Sequence, residues 1–396
     1  MPNLILKAKA DRRLRQGHLW IYSNEIDVSK SPLQNFMPGE QANVLDAKGK
    51  ALGTAIVNPK QLICGRLVSR KADEPLNQER FIMRLNAAYQ SREQLFDDQS
   101  YRWIYGDSDG LPGLVIDRFG DVIVVQVSNA GIELLLEPLL AAINHVVPKL
   151  NILLKNDGKM RALEGLESYV RVAQGEVPKH CALKENGVHF LAPVWDGQKT
   201  GWFYDHRLNR RRVQKLAAGK RVLDVFSYIG GWGIQAAAAG ASEVVCVDAS
   251  AQALDLVHQQ AQRNSVGEKV NTLKGDAFVA MKQLHEDGER FDIVIIDPPA
   301  FIARRKDIKA GELAYQRANQ LAMRLLKPEG ILVSASCSMH LERGRLTQLL
   351  QDACRKNGRM GQVLEQGGQG GDHPVHPAIP ETEYLKSVIL RTWYES

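Results

Sequence analysis

The run RVLDVFSYIGGWG, residues 221 to 233, decides the fold of the C-terminal half of the chain. An apolar, strand-like segment ends near Asp224 and enters a glycine-rich turn, which an alanine-rich helical stretch follows. Four more β-type runs come after it, in the order SEVVCVD, KVNTLKGD, FDIVIID and GILVSAS, with helical stretches between them. Strands that alternate with helices are typical of a parallel sheet with crossover helices. Residues 186–396 are therefore predicted to form a Rossmann-like α/β domain, with two last strands at Gly361 to Gln366 and Lys386 to Tyr394.

The chain before this domain has a different pattern. Residues 1–73 alternate short β-type runs with the turn signals MPGE, AKGK and NPK, which predicts a small β domain, with a β-barrel as one form. Residues 74–185 begin with a polar helical stretch and continue with strands around GDSDGLPG. They are predicted to form a small α+β middle domain.

The net charge is unevenly distributed along the 396 residues. The chain has 51 basic and 45 acidic side chains, and residues 1–73 hold 12 of the basic and 6 of the acidic ones. The remaining residues balance at 39 against 39, so the whole net charge of +6 belongs to the N-terminal segment. Clustered cations favour a polyanionic partner such as nucleic acid, although a solvated basic face without a partner fits the count equally well.

Cysteine usage and hydropathy exclude several classes of protein. The five cysteines form no CxxC pair and have no histidine at ligand spacing, which disfavours a disulfide framework or a zinc site. No metal site is expected. No run of 18 apolar residues is present and the N-terminus lacks a signal-type apolar segment. We therefore expect a cytoplasmic protein without a membrane segment.

Acidic residues follow the first three predicted strands of the α/β domain. Asp224, Asp248 and Asp276 come where ligands bind in such folds, and Asp248 has the spacing of a carboxylate that holds ribose hydroxyls. Carboxylates in this number repel phosphate, so an adenosine-containing ligand without phosphate fits better than NAD or ATP. The fragment GWGIQA, residues 231–236, matches a dinucleotide pattern only formally, and its glycines could also serve helix packing alone.

The fourth and fifth strands end in residues suited to chemistry on a planar base. FDIVIID enters Asp297-Pro298-Pro299, whose prolines fix an extended backbone that presents the carboxylate, although a plain strand-ending turn is the alternative. GILVSAS delivers Cys337, a candidate nucleophile by its position. The other cysteines are interpreted as buried small apolar residues.

Together these segments resemble a known family. The glycine turn DVFSYIGGWG, GDAF, DPPAF and SCS resemble class I S-adenosylmethionine-dependent methyltransferases. Over nearly its whole length the chain resembles the ribosomal large-subunit methyltransferase I group, which makes 5-methylcytosine in 23S rRNA; GHLWIYSNEI, GDSDGLPGLVIDRFG, GQKTGWFYDHR and DHPV are similar to segments of that group. The resemblance implies that residues 1–73 form a PUA domain, a small β-barrel that binds structured RNA.

The resemblance also implies a donor site and a mechanism. Asp248 and Asp276 would hold the ribose and adenine of S-adenosylmethionine. The full set of predicted donor-binding residues is Asp224, Phe226, Ser227, Tyr228, Gly230, Gly231, Asp248, Asp276, Asp297 and Pro298. Cys337 would add to C6 of the cytosine, and Asp297 would be the hydrogen-bond partner at N3. The base that removes the C5 proton is left open.

The expected partner is 23S rRNA or a precursor of the large subunit. The predicted RNA contacts are Lys199, Thr200, Arg207, Phe301, Arg12 and Arg13. Further basic residues could track RNA or be solvated: Arg210, Arg211, Arg212, Arg304, Arg305, Lys306 and Lys309. Aromatic residues could stack on a base or belong to the core: Trp202, Phe203, Tyr228 and Phe301. His206 stands where the group usually has Gln, and His373 in DHPV receives no role.

Two alternatives remain open from the sequence. A guanine N-methyltransferase of rRNA would share the Asp-Pro-Pro feature but would need no nucleophilic Cys337. A non-catalytic RNA-binding assembly factor would need neither Cys337 nor the acidic strand ends. The modified cytosine, the assembly state of the RNA substrate and the oligomeric state, with a homodimer among the options, are left open.

Overall fold

The computed structural model describes residues 1–395, which divide into two compact units. The first unit contains residues 1–183, 192–204 and 371–382, and the second contains residues 184–191, 205–370 and 383–395. The first unit therefore includes both the predicted N-terminal domain and nearly all of the predicted middle domain. The predicted boundaries at residues 73 and 185 stay predictions.

The N-terminal part of the first unit is a five-stranded sheet with its own apolar core. Its elements are β1 (Asn3–Ile5), α1 (Arg12–Arg15), β2 (Trp20–Tyr22), β3 (Glu40–Leu45), β4 (Ala51–Val57) and β5 (Ile63–Ser69). The strand order is β1-β3-β4-β5-β2, in which β1 runs parallel to β3 and the other pairs are antiparallel. Alternating side chains such as Leu4, Val44 and Cys64 are fully buried in this core.

A second five-stranded sheet forms the rest of the first unit. Its elements are α2 (Gln78–Leu95), β6 (Ser100–Tyr105), β7 (Leu114–Phe119), β8 (Val122–Val127), α3 (Ala130–Leu134), α4 (Leu136–Val146), β9 (Asn151–Asn156), α5 (Met160–Glu164) and β10 (Tyr169–Gln174). The order is β10-β9-β8-β7-β6, and the parallel pair β8–β9 is connected through α3 and α4. The segment of residues 371–382 belongs here, since Asp372 Oδ2 accepts a hydrogen bond from the backbone N–H of Arg102 at 3.1 Å.

The second unit is built on a seven-stranded sheet. A hairpin of β11 (His180–Glu185) and β12 (Val188–Pro193) precedes it, and the boundary between the units falls within this hairpin. The following elements are α6 (Arg207–Ala217), β13 (Arg221–Val225), α7 (Gly233–Ala238), β14 (Glu243–Asp248), α8 (Ala251–Arg263), β15 (Val270–Lys274), α9 (Ala277–Glu286), β16 (Phe291–Ile296), α10 (Ile308–Arg324), β17 (Leu326–Ser336), α11 (Arg343–Lys356), β18 (Arg359–Gly367) and β19 (Lys386–Tyr394).

The strand order confirms the predicted α/β sheet. The order is β15-β14-β13-β16-β17-β19-β18, and the first five strands pair in parallel. The last two, β19 and β18, are antiparallel to their neighbours. The central strands read as almost continuous apolar runs because both faces of a parallel sheet are covered by helices. Among residues 1–395, no helix combines the length and apolar character needed to cross a lipid bilayer.

Gly233 provides a test of how tightly α7 packs on the sheet. A Cβ atom at this position would lie 2.6 Å from Cys246 Sγ and 3.0 Å from Val244. We expect Gly233→Ala to reduce the free energy of unfolding by about 1–3 kcal/mol, because a methyl group is forced into a filled space. Urea denaturation followed by circular dichroism measures the effect.

Gly344 supplies the matched control. It also lies in the first turn of a helix, but a Cβ atom there meets nothing within 4 Å. Gly344→Ala should therefore be neutral or stabilising by up to about 1 kcal/mol. Equal unfolding free energies for the two variants would contradict the close packing at Gly233.

Candidate active site

The predicted catalytic and donor-binding residues lie in the second unit, at or just after the carboxyl ends of neighbouring parallel strands. The backbone N–H of Tyr228 donates to Asp248 Oδ2 at 2.9 Å, which ties the turn after β13 to the end of β14. The backbone N–H of Asp297 lies 3.4 Å from the carbonyl oxygen of Val225 and links the end of β16 to the same turn. These strand ends meet at the edge where α/β sheets bind ligands.

The glycine-rich turn after β13 has an unusual backbone. Phe226 and Tyr228 have φ angles of 64° and 50°, in the left-handed region that residues other than glycine rarely adopt. Such a conformation costs about 1–2 kcal/mol per residue and persists only where the surroundings impose it. Here Asp224 Oδ2 accepts from the backbone N–H of Gly233 at 2.8 Å, at the far end of the turn. Carboxylates thus hold a strained loop at the ligand-binding edge.

Asp224 is fully buried and its pKa is raised to about 8. Burial is the main cause, and the charges of Asp297 and Asp248 raise the pKa further. Its Oδ1 atom and the Oγ atom of Ser227 are buried without a hydrogen-bond partner among the described residues. A ligand that brings positive charge and hydrogen-bond donors, as the sulfonium and ammonium groups of S-adenosylmethionine do, fits this set of residues.

The other predicted donor-binding residues occupy different environments. Asp248 is half-buried, and its Oδ1 accepts from the backbone N–H of Ser250 at 2.9 Å. Asp276 is exposed and caps α9 by accepting from the backbone N–H groups of Phe278 and Val279. Gly230, Gly231 and Pro298 are buried. The individual contacts of all these residues with the donor stay predictions.

Asp297 is held by two side chains of the same unit. Its Oδ2 accepts from Trp232 Nε1 at 3.0 Å, and its Oδ1 lies 3.2 Å from His206 Nε2. Burial alone would raise the pKa of Asp297, but the His206 charge and the two contacts outweigh it and lower the pKa. Burial conversely tends to lower the pKa of His206, yet the charge of Asp297 raises it. The pair therefore favours an ionised Asp297 beside a protonated His206.

Cys337 follows β17 and is half-buried, with its Sγ 4.0 Å from the carbonyl oxygen of Pro298. The serines on either side of it are buried and fixed by Tyr315. Ser336 Oγ donates to the Tyr315 hydroxyl at 2.8 Å, and the Tyr315 hydroxyl lies 2.9 Å from Ser338 Oγ. This network locks the loop that carries the thiol next to the Asp-Pro-Pro segment. The other four cysteines are buried, as predicted.

Phenylalanine rings gather at the same strand ends. Phe301 lies 6.2 Å from Phe226, 6.1 Å from Phe278 and 4.9 Å from Tyr315, measured between ring centroids. Phe301 is half-buried, so part of its surface is covered by this cluster. Its contact with a substrate base stays a prediction.

Two predicted RNA contacts are buried. Arg207 lies 3.6 Å from Glu185 in the second unit, where Arg210 also pairs with that carboxylate at 2.7 Å. Thr200 is fully buried in the first unit and donates to Asp117 Oδ2 at 2.5 Å. The sequence shows that a residue is charged or polar, but not whether its side chain faces solvent. Burial does not favour an RNA contact for Thr200 or Arg207.

The other predicted RNA contacts of the first unit are accessible. Arg12 and Lys199 are exposed, and the Lys199 ammonium lies 5.0 Å from the centre of the Phe203 ring. Arg13 is partly exposed and pairs with Glu25 at 2.8 Å. Trp202 is buried and contributes to the core. His373 is also buried, with its Nδ1 at 3.0 Å from Asp372 Oδ1, which makes it part of the packing of this unit.

The side chains that hold Asp297 and the Cys337 loop in place were not predicted from the sequence. His206 and Trp232 were noted for other reasons, and nothing in the sequence links them to Asp297. Tyr315 and Lys386 were not singled out at all. Lys386 could have been noticed because an isolated lysine stands between Leu385 and the segment SVIL at the start of the last strand.

The ion pair of His206 with Asp297 predicts a pH-dependent stability. The raised pKa of His206 contributes stability below about pH 6.5 that is lost as the pH rises through its folded-state value. The lowered pKa of Asp297 contributes stability above about pH 4 that is lost on acidification. We expect His206→Gln to lose about 2 kcal/mol of unfolding free energy at pH 5.5 and less at pH 8.5, measured by urea denaturation.

His258→Gln is the matched control, because His258 is exposed on α8 and its Nε2 lies 3.0 Å from a hydroxyl, Thr272 Oγ1, and not from a carboxylate. Its loss should be within about 0.5 kcal/mol at both pH values. A His206→Gln loss that does not change between pH 5.5 and pH 8.5 would contradict the ion pair.

Comparisons with known proteins identify the domains and the family of the chain. The profile of S-adenosylmethionine-dependent methyltransferases matches residues 165–368, and that of PUA-like domains matches residues 4–70. The chain is similar to ribosomal RNA large subunit methyltransferase I of Erwinia tasmaniensis, with 36% identity over 98% of both chains. The protein of the same name from Aeromonas salmonicida is 35% identical over 96% of this chain and 97% of its own.

Solved structures support the fold. The crystal structure of the methyltransferase SMU.776 in complex with SAH superposes with a TM-score of 0.85 at 23% identity, over 99% of this chain and 100% of that one. The predicted cofactor, S-adenosylmethionine, and the predicted PUA-like and class I methyltransferase folds are thereby confirmed. Nearly full-length similarity to the curated relatives and the strand-end site lead to one conclusion: the chain belongs to the ribosomal RNA large subunit methyltransferase I family and carries an S-adenosylmethionine-dependent methyltransferase domain.

Proposed function

We propose that this protein methylates C5 of a cytosine in 23S rRNA, in the cytoplasm, through a transient covalent bond between Cys337 and C6 of the base. The name of its relatives supports an RNA of the large ribosomal subunit as substrate. The observation that carries the cytosine chemistry is the half-buried Cys337 thiol beside the Asp-Pro-Pro segment, on a loop fixed by Tyr315.

A nucleophile is needed because C5 of cytosine is a poor nucleophile by itself. The Cys337 thiolate adds to C6, the electron pair of the C5–C6 double bond forms a C4–C5 double bond, and the C4–N3 pair moves to N3, which takes a proton from water; the product is an enamine. S-adenosylmethionine supplies the methyl group that C5 takes up. The C5 proton then leaves to a base, the C5–C6 double bond re-forms, Cys337 departs as a thiolate and N3 returns its proton to water.

In this proposal Asp297 forms a hydrogen bond with the Watson–Crick edge of the base. Trp232 and His206 orient its carboxylate and keep it ionised, so it can accept a hydrogen bond from N3–H of the activated ring. Stabilising a proton on N3 draws electron density from C6 and assists the attack of Cys337. A carboxylate offers about four acceptor sites, so the two existing contacts leave room for the base.

The target base must leave the RNA stack to reach a thiol at a strand end. Extrusion costs a few kcal/mol and is offset by stacking and hydrogen bonds in the site. Phe301 is the predicted stacking surface next to the Asp-Pro-Pro segment. The exposed cations Arg12 and Lys199 and the partly exposed Arg13 are candidates for contacts with the RNA backbone.

Nucleoside mass spectrometry tests the substrate class. Purified protein is incubated with unmodified 23S rRNA and a methyl-labelled donor, and the RNA is digested to nucleosides. We expect labelled 5-methylcytidine. Labelled methylguanosine would replace the proposal with a non-covalent guanine N-methyltransferase, and donor binding without any labelled nucleoside on free rRNA or on large subunits would favour a binding role.

Replacement of the nucleophile tests the covalent step. Cys337→Ala should lower the rate of methyl transfer at least about a thousandfold, because it removes the proposed nucleophile and the other four cysteines are buried. Its affinity for the donor, measured by calorimetry, should stay within about twofold of the original. Cys354→Ala, which removes a buried thiol of α11, is the control and should remain active. Comparable turnover in Cys337→Ala would refute the adduct.

A further inference from the structure

A buried lysine stands next to the loop that carries Cys337. Lys386 is 5% exposed, and its Nζ donates hydrogen bonds to the carbonyl oxygens of Ser338 at 2.6 Å and Tyr384 at 2.8 Å. Lysine is rarely buried to this degree without an ionised partner. Neither partner is a carboxylate, so the usual structural reason for burying a lysine is missing here.

The sheet register places this lysine at the active edge. Lys386 is the first residue of β19 and lies directly opposite Ser336, the last residue of β17. Cys337 is the next residue of the chain, and Ser338, which accepts the hydrogen bond of Nζ, is the one after it. Lys386 is thus hydrogen-bonded to Ser338, which follows Cys337, and paired in the sheet with Ser336, which precedes it.

Burial lowers the pKa of Lys386 to about 8, and the charge of Cys337 is the largest influence that opposes this shift. Arg343 at the start of α11 lowers the pKa further, whereas Glu383 raises it. From α10, the Tyr315 hydroxyl faces the same loop, and burial raises its pKa, so it stays neutral. The amine of Lys386, with its lowered pKa, is therefore suited to take a proton from a neighbouring thiol near neutral pH.

We propose that Lys386 is the positioning residue that takes the proton of the Cys337 thiol and holds the resulting thiolate ready for attack. The inference deepens the proposed function, since it concerns how the nucleophile of that reaction is generated. In this step the S–H bond breaks, the proton binds the lone pair of Nζ, and a thiolate–ammonium pair forms with no change in total charge. Two N–H bonds of the ammonium remain on the two carbonyls and the third carries the transferred proton.

A purely structural role makes a different prediction from this one. If Lys386 only satisfied the two carbonyl groups, any side chain with N–H donors would replace it. A glutamine offers two donors but no charge and no lone pair on nitrogen that accepts a proton. Lys386→Gln therefore separates the two roles, and Lys386→Arg restores the charge without the proton acceptor.

The experiment measures the alkylation rate of Cys337 by iodoacetamide between pH 5.5 and pH 10, in the full-length protein without RNA, by peptide mass spectrometry. We expect the half-maximal rate of the original protein to lie at least one pH unit below that of Lys386→Gln and Lys386→Met. At pH 7 the rate should fall about tenfold or more in both variants, since one pKa unit changes the thiolate fraction tenfold. Lys386→Arg should lie closer to the original protein.

Lys327→Met is the control, because Lys327 lies at the opposite end of β17 and pairs with Asp292. Its alkylation profile should superpose on that of the original protein. Donor affinity by calorimetry verifies that each variant is folded. Superposed profiles of the original protein and a folded Lys386→Gln would overturn the inference.

The failure of this inference and the failure of the proposed function are distinguishable. Alkylation needs neither RNA nor donor, so a shifted profile supports the lysine–cysteine pair even if no 5-methylcytidine is formed. Conversely, 5-methylcytidine formation with an unshifted profile would keep the covalent mechanism and remove Lys386 from it.

Discussion

Parallel hydrogen bonding of five neighbouring strands is the constraint on which the chemistry of the second unit depends. Because β13 to β17 run in the same direction, their carboxyl ends meet at one edge, and five separate loops converge there. The strained turn after β13 persists because Asp224 and Asp248 accept hydrogen bonds from its backbone. Catalytic candidates that are far apart in sequence become neighbours through this arrangement.

Burial and neighbouring charges at this edge set the pKa values of its carboxylates. Burial is the main cause of the raised pKa of Asp224, and the nearby carboxylates of Asp297 and Asp248 raise it further. His206 and Trp232 act on Asp297, where the pKa is lowered instead. A cationic methyl donor adds positive charge at the same place. The site therefore favours an ionised Asp297, and in the proposed Lys386–Cys337 pair the thiolate would have a cationic partner of its own.

The sequence was sufficient to predict the sheet and the residues at its strand ends, because apolar runs alternate with helical stretches and Asp224, Asp297 and Cys337 follow such runs directly. It was not sufficient to find residues that act through tertiary contacts. Lys386 reaches the carbonyl oxygen of Ser338 across 48 positions of sequence, through a strand pairing that no local pattern encodes. Thr200 and Arg207 are buried, which their polar character in the sequence does not reveal, and their RNA contacts stay predictions.

The central claim is a covalent bond between Cys337 and C6 of a cytosine, and trapping this bond tests it most directly. An RNA that carries 5-fluorocytidine at the target position has no C5 proton to lose, so the methylated adduct cannot break down by elimination. We expect a stable protein–RNA complex on a denaturing gel that requires S-adenosylmethionine, with the link mapped to Cys337 by mass spectrometry. Methylation of the unmodified RNA at cytosine C5 without any trapped complex on the fluorinated RNA, or a link to another residue, would contradict the account.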